Sequence, residues 1–162
     1  MKEISIRLIQ PNDNTIIAEI VRSAVLEFNA SKEGTIFSDP TLDKMFENYQ
    51  SDNSVYYVAE WKGEVVGGAG IKQLNGSESP ICELQRMFLT SKARGLGIGK
   101  ALMEKSLAFA KEAGFEGCYL ETLPQMKQAV FLYKKYGFLP ISQAMGNTGH
   151  YSCNSYMYKD FY

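Results

Sequence analysis

The stretch Arg94-Gly95-Leu96-Gly97-Ile98-Gly99-Lys100 constrains this chain more than any other feature. It follows Ile81 to Leu89, which reads as a strand, and opens a helical pattern, Ile98, Ala101, Leu102, Ala108, Phe109 and Ala113, stopped by Gly114. Strand, glycine loop and helix in that order put the unpaired N–H groups of a helix start at the end of a strand. Three alternate glycines let a ligand approach the backbone, and the helix start adds oriented donors and partial positive charge. Arg94, Lys100 and, further back, Lys92 supply full charges, so the segment reads as an anion site suited to pyrophosphate. The alternative is a turn that merely joins strand to helix, which needs no basic residues flanking the glycines. A Walker P-loop is excluded because Ala101 follows Lys100 and Arg94 stands where the first glycine belongs. A dinucleotide fingerprint fails because the third glycine falls one residue short, although Glu121, at a later strand end, speaks for it.

Apolar periodicity supplies the neighbouring elements. Ile4, Ile6 and Leu8 alternate as a strand does, and Asp13 or Asn14 then offers an N-cap to a helix striped by Ile17, Ile20, Val21, Ala24 and Phe28. Asp39-Pro40 starts a second helix carrying Leu42, Met45, Phe46 and Tyr49. Ser54 to Trp61 and Glu64 to Ile71, joined by Lys62-Gly63, read as a hairpin; Gly67, Gly68 and Gly70 in its second arm mark a bulge or a close approach. Gly117 to Thr122 is a strand, Met126, Ala129, Val130 and Tyr133 line a helix ended by Gly137, and another strand starts at Phe138. Gln143 to His150 is a loop before a last strand from about Tyr151 to Tyr158. Hairpins early and strand-helix alternation late imply a mixed sheet with helices on its faces.

The 162 residues, 45% hydrophobic and 22% charged, suit one globular domain spanning 1–162. Seventeen basic residues against eighteen acidic ones leave a net charge of −1, too little for the positive field that nucleic acid or an anionic membrane requires, so neither is expected as a partner. The start has no signal-peptide pattern and no apolar run approaches the roughly 20 residues of a membrane span, so a cytoplasmic location is expected. Cys82, Cys118 and Cys153 are odd in number and far apart, which suits reduced thiols acting as small core hydrophobes. His150-x-x-Cys153 offers two ligands where zinc takes four, so no metal is expected.

The loop, following Glu83-Leu84-Gln85-Arg86-Met87-Phe88-Leu89, resembles the acetyl-CoA signature Gln/Arg-x-x-Gly-x-Gly/Ala of the GNAT N-acetyltransferase superfamily. Ala129-Val130-Phe131-Leu132-Tyr133-Lys134-Lys135-Tyr136-Gly137-Phe138 resembles that family's Ala-x-x-x-Tyr-x-x-x-Gly-Phe element. With the strand from Val65 to Gly70, the resemblance covers nearly the whole chain. It departs where the family often has a cofactor-contacting Asn; Met126 stands there, with Gln125 beside it as a substitute. The resemblance implies an α/β (α+β) fold, a mixed, mostly antiparallel central sheet of six to seven strands flanked by about four helices. It also implies an acyltransferase that moves an acetyl group from acetyl-CoA to a primary amine by direct attack in a ternary complex.

Carried over residue by residue, the resemblance puts the pyrophosphate on the N–H groups of Arg94, Gly95, Leu96, Gly97, Ile98, Gly99 and Lys100. The pantetheine arm would run along Met87, Phe88 and Leu89, with the Met87 N–H at the thioester carbonyl and the Tyr133 hydroxyl at the cofactor sulfur. A lysine-like amine with pKa near 10.4 is neutral about one part in 10³ at pH 7, a handicap of roughly 4 to 5 kcal/mol, so a general base is useful. Glu83 matches the catalytic glutamate of the family's histone acetyltransferase branch, and burial would raise its pKa. Two plainer readings stand beside these: Glu83 solvated or paired with Arg86 or a lysine, and Tyr133 an ordinary core tyrosine.

His150 either assists the base or acceptor or is a polar loop residue, and a Cys153–His150 hydrolase dyad would lack a third orienting group. Two further function classes stay open: a non-catalytic acyl-CoA sensor, and a nucleotide oxidoreductase whose glycine fingerprint is missing. The acceptor would be shaped by the early helices, the Ser31 to Pro40 connection and the Gln143 to His150 loop. Small amines, amino acids, polyamines, aminoglycoside-like drugs and peptide or protein amines all remain open. Monomer and homodimer both stay open, and exposed aromatics at Tyr156, Tyr158, Phe161 and Tyr162 would support the dimer.

Overall fold

The structure, a computed structural model, describes residues 3–28, 33–150, 153 and 155–162. β1 (Ile4–Leu8) leads through a short 3₁₀ turn to α1 (Asn14–Glu27). The Asp13 carboxylate ties the two together, accepting the Gln10 N–H at 2.7 Å and the Arg7 guanidinium at 2.8 and 3.0 Å. The second helix is shorter than its spacing predicts: Pro40–Lys44 is 3₁₀ and α2 (Met45–Asn48) is a single turn. Side chains compete for its backbone, since Asn14 Oδ1 accepts the Phe46 N–H at 2.7 Å and Asn48 Nδ2 donates to the Lys44 carbonyl at 2.8 Å. Asp39 does cap the segment as expected, accepting the Thr41 N–H at 2.9 Å.

β2 (Val55–Trp61) and β3 (Glu64–Gln73) form the expected hairpin, and β4 (Ile81–Leu89) and β5 (Gly117–Thr122) have the expected bounds. α3 (Ile98–Glu112), α4 (Lys127–Lys135), β6 (Leu139–Ile141) and β7 (Ser155–Asp160) complete the order. Tyr151, Ser152 and Asn154, part of the expected last strand, lie outside the described residues. The seven strands run β1-β2-β3-β4-β5-β7-β6, with β4–β5 parallel and the other pairs antiparallel, as the resemblance implied.

α1 and α2 cover one face of the sheet, packing Ile17, Val21, Val25 and Met45 on Tyr56 and Val58. α3 and α4 cover the other, with Ile98, Leu102, Met103, Leu107 and Tyr133 on Val66, Ala69, Cys82 and Leu84. The buried stripe of α3 is Leu102, Met103, Ser106, Leu107 and Ala110; Ala108 and Ala113, expected in it, face solvent. An alanine fits either environment, so it marks helical phase weakly.

Cys82 and Cys118 are core residues as expected, whereas Cys153 is half-buried. The expected exposed aromatic surface at the C-terminus does not form. β7 lies between β5 and β6, which leaves Tyr156 and Tyr158 half-buried; Phe161 packs against the α3-side core, and only Tyr162, of these four, stands open at 89% exposure.

Candidate active site

β4 and β5 pair only at Ile81–Gly117, Cys82–Cys118 and Glu83–Tyr119. Beyond Glu83 the two strands part, and no residue of β4 from Gln85 to Leu89 pairs with β5. A bulge accompanies the parting: Gly68 pairs with Phe88 and Gly70 with Gln85, so Arg86 and Met87 together face Ala69. Arg86 takes φ 54°, and the Tyr56 hydroxyl donates to its carbonyl at 2.8 Å. The extra residue reverses the alternation of the strand. Cys82 and Leu84 enter the α3-side core before it, and Met87 and Leu89 pack there after it.

The opening continues into a cleft of about 490 Å³ between β4, the glycine loop and α4, lined by Met87, Phe88, Leu89, Gly95, Gly97, Gly99, Lys100 and Tyr133. Gly95 and Gly97 take φ of 77° and 83°, with open space where a Cβ would stand. The first bond of α3 runs from the Ala101 N–H to the Gly97 carbonyl at 3.1 Å, so the N–H groups of Ile98, Gly99 and Lys100 have no intrahelical acceptor. Ile98 can offer only its backbone, because its side chain is in the core, and Leu96 points outward.

The three expected cations fare differently. Lys92 pairs with Glu64 and does not line the cleft. Arg94 pairs with Glu27, donates to the Leu89 carbonyl at 3.0 Å and lies 5.1 Å above the Phe28 ring, which anchors the loop to α1 and offsets part of its charge. Lys100 is exposed on the cleft with no ion pair among the described residues. Gln125 and Met126 both line the cleft.

A second, smaller cavity of about 140 Å³ shares Met87, Phe88, Met126 and Tyr133 with the first and adds Glu83, Gln85, Glu121, Asp39, His150 and Cys153. Glu83 is 5% exposed. Burial, helped by the nearby Glu121 charge, pushes its carboxyl up to about 7 against the opposing hydrogen bond from Gln85. The alternative of a Glu83–Arg86 pair is not realised: the Arg86 guanidinium turns instead to Asp39, Thr41 and the Met45 sulfur. Burial pushes the Tyr133 phenol up to about 12, so it stays protonated and is a weaker acid than a free phenol.

His150 is more than a polar surface residue, since its Nε2 lies 3.1 Å from Asp39 Oδ2. That contact points the ring at Asp39, and burial pushes the Cys153 thiol up to about 12, so the Cys153–His150 pair is not arranged as a nucleophile and base. No group of three or more His, Cys, Asp or Glu that could hold a metal occurs among the described residues. Sequence reasoning missed Tyr49 and Asp39 as neighbours of this cavity, along with the role of Gln85. Tyr49 and Gln85 are 36 positions apart and Asp39 and His150 are 111 apart, and no motif links either pair.

Residues 22–138 match the sequence model of the Acetyltransferase (GNAT) family. An uncharacterized N-acetyltransferase of Escherichia coli K12, YjgM, is 42% identical over 149 residues, covering 91% of this chain and 89% of that protein. Among solved structures, a GNAT-family acetyltransferase of Staphylococcus aureus Mu50 superposes with a TM-score of 0.83 at 23% identity, covering 98% of this chain and 99% of that one. The Salmonella typhimurium protein yncA, solved with its cofactor acetyl-CoA, superposes with a TM-score of 0.78 at 19% identity over 99% of this chain and 95% of its own. No helix among the described residues is long and apolar enough to cross a membrane.

Proposed function

The chain belongs to the GNAT acetyltransferase family and is an acyltransferase, and on that premise we propose that it moves an acetyl group from acetyl-CoA to a primary amine within a ternary complex, residues 1–162 forming one acetyltransferase domain. The observation that carries this reading is the meeting of the two cavities at Met87, Phe88, Met126 and Tyr133, with free N–H groups on one side and a buried carboxyl on the other. The first cavity suits the cofactor: Gly95 and Gly97 leave open the space a Cβ would fill, and the unpaired helix N–H groups with Lys100 suit a pyrophosphate. Bound there, acetyl-CoA supplies the activated acetyl thioester.

The chain's own residues divide the remaining work. The open edge of β4 from Met87 to Leu89 holds the pantetheine arm, and the Met87 N–H donates to the thioester carbonyl oxygen. Glu83 takes a proton from the bound ammonium, directly or through a water, and leaves a neutral amine to attack. A carboxyl that titrates near 7 is half ionised at neutral pH, so the rate rises with pH through that value and then levels off. Tyr133, protonated throughout this range, donates its hydroxyl proton to the departing sulfur.

Tyr133→Phe keeps the ring in the core and removes only that donor. A fall in kcat of about tenfold or more, with cofactor affinity within about twofold of wild type, is the expected outcome in a thiol-release assay. An unaltered kcat would remove Tyr133 from the mechanism. The function itself is tested by presenting acetyl-CoA with small amines, amino acids, polyamines, an aminoglycoside and a lysine peptide. Release of free CoA should match acetylated product for at least one class. Cofactor binding with no acetylated product from any class would favour an acyl-CoA sensor instead.

A further inference from the structure

We infer that Gln85 is a positioning residue for the Glu83 carboxylate, and that Tyr49 decides which end of the Gln85 amide that carboxylate meets. The inference rests on the proposed reading of Glu83 as the base. Gln85 Nε2 donates to Glu83 Oε1 at 2.7 Å, and the Tyr49 hydroxyl donates to Gln85 Oε1 at 2.6 Å. An amide has one donor end and one acceptor end, so a phenol held against the oxygen turns the NH₂ toward the carboxylate. Rotated by half a turn, Gln85 would present its oxygen to Glu83 and repel the ionised form. Glu83 Oε2 accepts no hydrogen bond among the described residues, so it is the oxygen left for an ammonium or a water.

The relay depends on a gap in the sheet. A Cβ at Gly70 would lie 2.8 Å from Tyr49 Cε1, so only glycine at that point of β3 lets the ring reach across to β4. Tyr49 is 5% exposed, and burial holds its hydroxyl protonated. The ring is further held by Lys72 Nζ and the Arg86 guanidinium, 5.5 and 5.9 Å from its centroid. This accounts for a glycine in mid-strand that the anion loop does not explain.

Other charged groups surround Glu83. From β5 come Glu121, which opposes its ionisation, Tyr119 and Cys118; from β4 comes Arg86, which favours it; from β3 comes Lys72, its partner in register. Asp39, His150 and Cys153 line the same cavity. Gln85 is the one side chain among the described residues that donates a hydrogen bond to Glu83.

The test is the titration of Glu83 followed by carbon-13 NMR of protein labelled at glutamate carboxyls, in wild type, Gln85→Leu and Tyr49→Phe, with Glu83→Gln to assign the signal. Gln85→Leu should move the titration upward by about one unit, and Tyr49→Phe should move it the same way although it touches no atom of Glu83. The pH at which acetyl transfer reaches half its plateau should follow, with the KM for acetyl-CoA near wild type. A Glu83 titration unmoved in Tyr49→Phe, or activity lowered equally at every pH, would overturn the relay. The two readings fail separately. If the NMR titration shifts while no amine is acetylated, the relay stands and the proposed function falls; if transfer is retained and the titration is unmoved, the reverse holds.

Discussion

Glu83→Gln is expected to lower kcat for acetyl transfer by about 10² to 10³-fold and to abolish the rise in rate through pH 7, while leaving acetyl-CoA affinity unchanged. The amide keeps the shape of the carboxyl and its contact with Gln85 but cannot accept a proton. Misfolding would not mimic this result, because the sign of the stability effect is opposite. The Glu83 carboxyl is pushed up to about 7 from an ordinary value of 4.5, so the folded state favours its protonated form. Its stabilising contribution is fully present below the unfolded value and is lost as pH rises through the folded one. At pH 8 the native protein therefore carries a buried carboxylate at a cost, and Glu83→Gln should be as stable as wild type or more so. A variant that kept wild-type kcat, or that was inactive only because its Tm had dropped, would contradict the assignment.

Gly67→Ala is expected to destabilise the fold by about 3 kcal/mol, a large share of the roughly 5–15 kcal/mol available to a domain. A Cβ at Gly67 would overlap the backbone carbonyl oxygen of Phe88 and stand 2.7 Å from Leu89 Cδ2. The obstruction is backbone, so no rotamer change relieves it and β4 itself must move. Gly63→Ala is the control. Gly63 sits at φ 81° with nothing near the Cβ position, so it pays only the left-handed backbone penalty of about 1 to 2 kcal/mol. Urea unfolding of the two variants should separate them by a kilocalorie or more, and equal midpoints would mean that β3 and β4 can part freely at Gly67. Because the displaced residues are those assigned to the pantetheine arm, Gly67→Ala should also weaken acetyl-CoA binding.

The strands and the glycine loop were legible because period-two apolar patterns and left-handed glycines leave a local mark in sequence. The bounds expected for β4 and β5 match those observed, and Glu83 and Tyr133 lie within reach of one shared space. What could not be read depends on pairings that no local pattern encodes. Arg86 takes a positive φ without being glycine, and the resulting change of parity between Leu84 and Met87 is set by the partner strand and by Tyr56. The second helix breaks because Asn14, from a distant part of the chain, captures the Phe46 N–H. The sequence marks Arg94 as a charge for phosphate, yet its guanidinium is shared with Glu27 and the Leu89 carbonyl, so much of its effect is to hold the loop in place.

Calorimetric titration decides whether acetyl-CoA occupies the cleft between the glycine loop and the open edge of β4. The wild-type protein should bind acetyl-CoA at one site per chain and bind neither NADH nor ATP comparably. The Arg94→Ala, Lys100→Ala double variant should lose at least tenfold in affinity, Lys100 through its free charge and Arg94 through the loop it anchors. Binding of NADH in place of acetyl-CoA, or acetyl-CoA binding that the double variant retains in full, would rule out this cleft as the acetyl-CoA site.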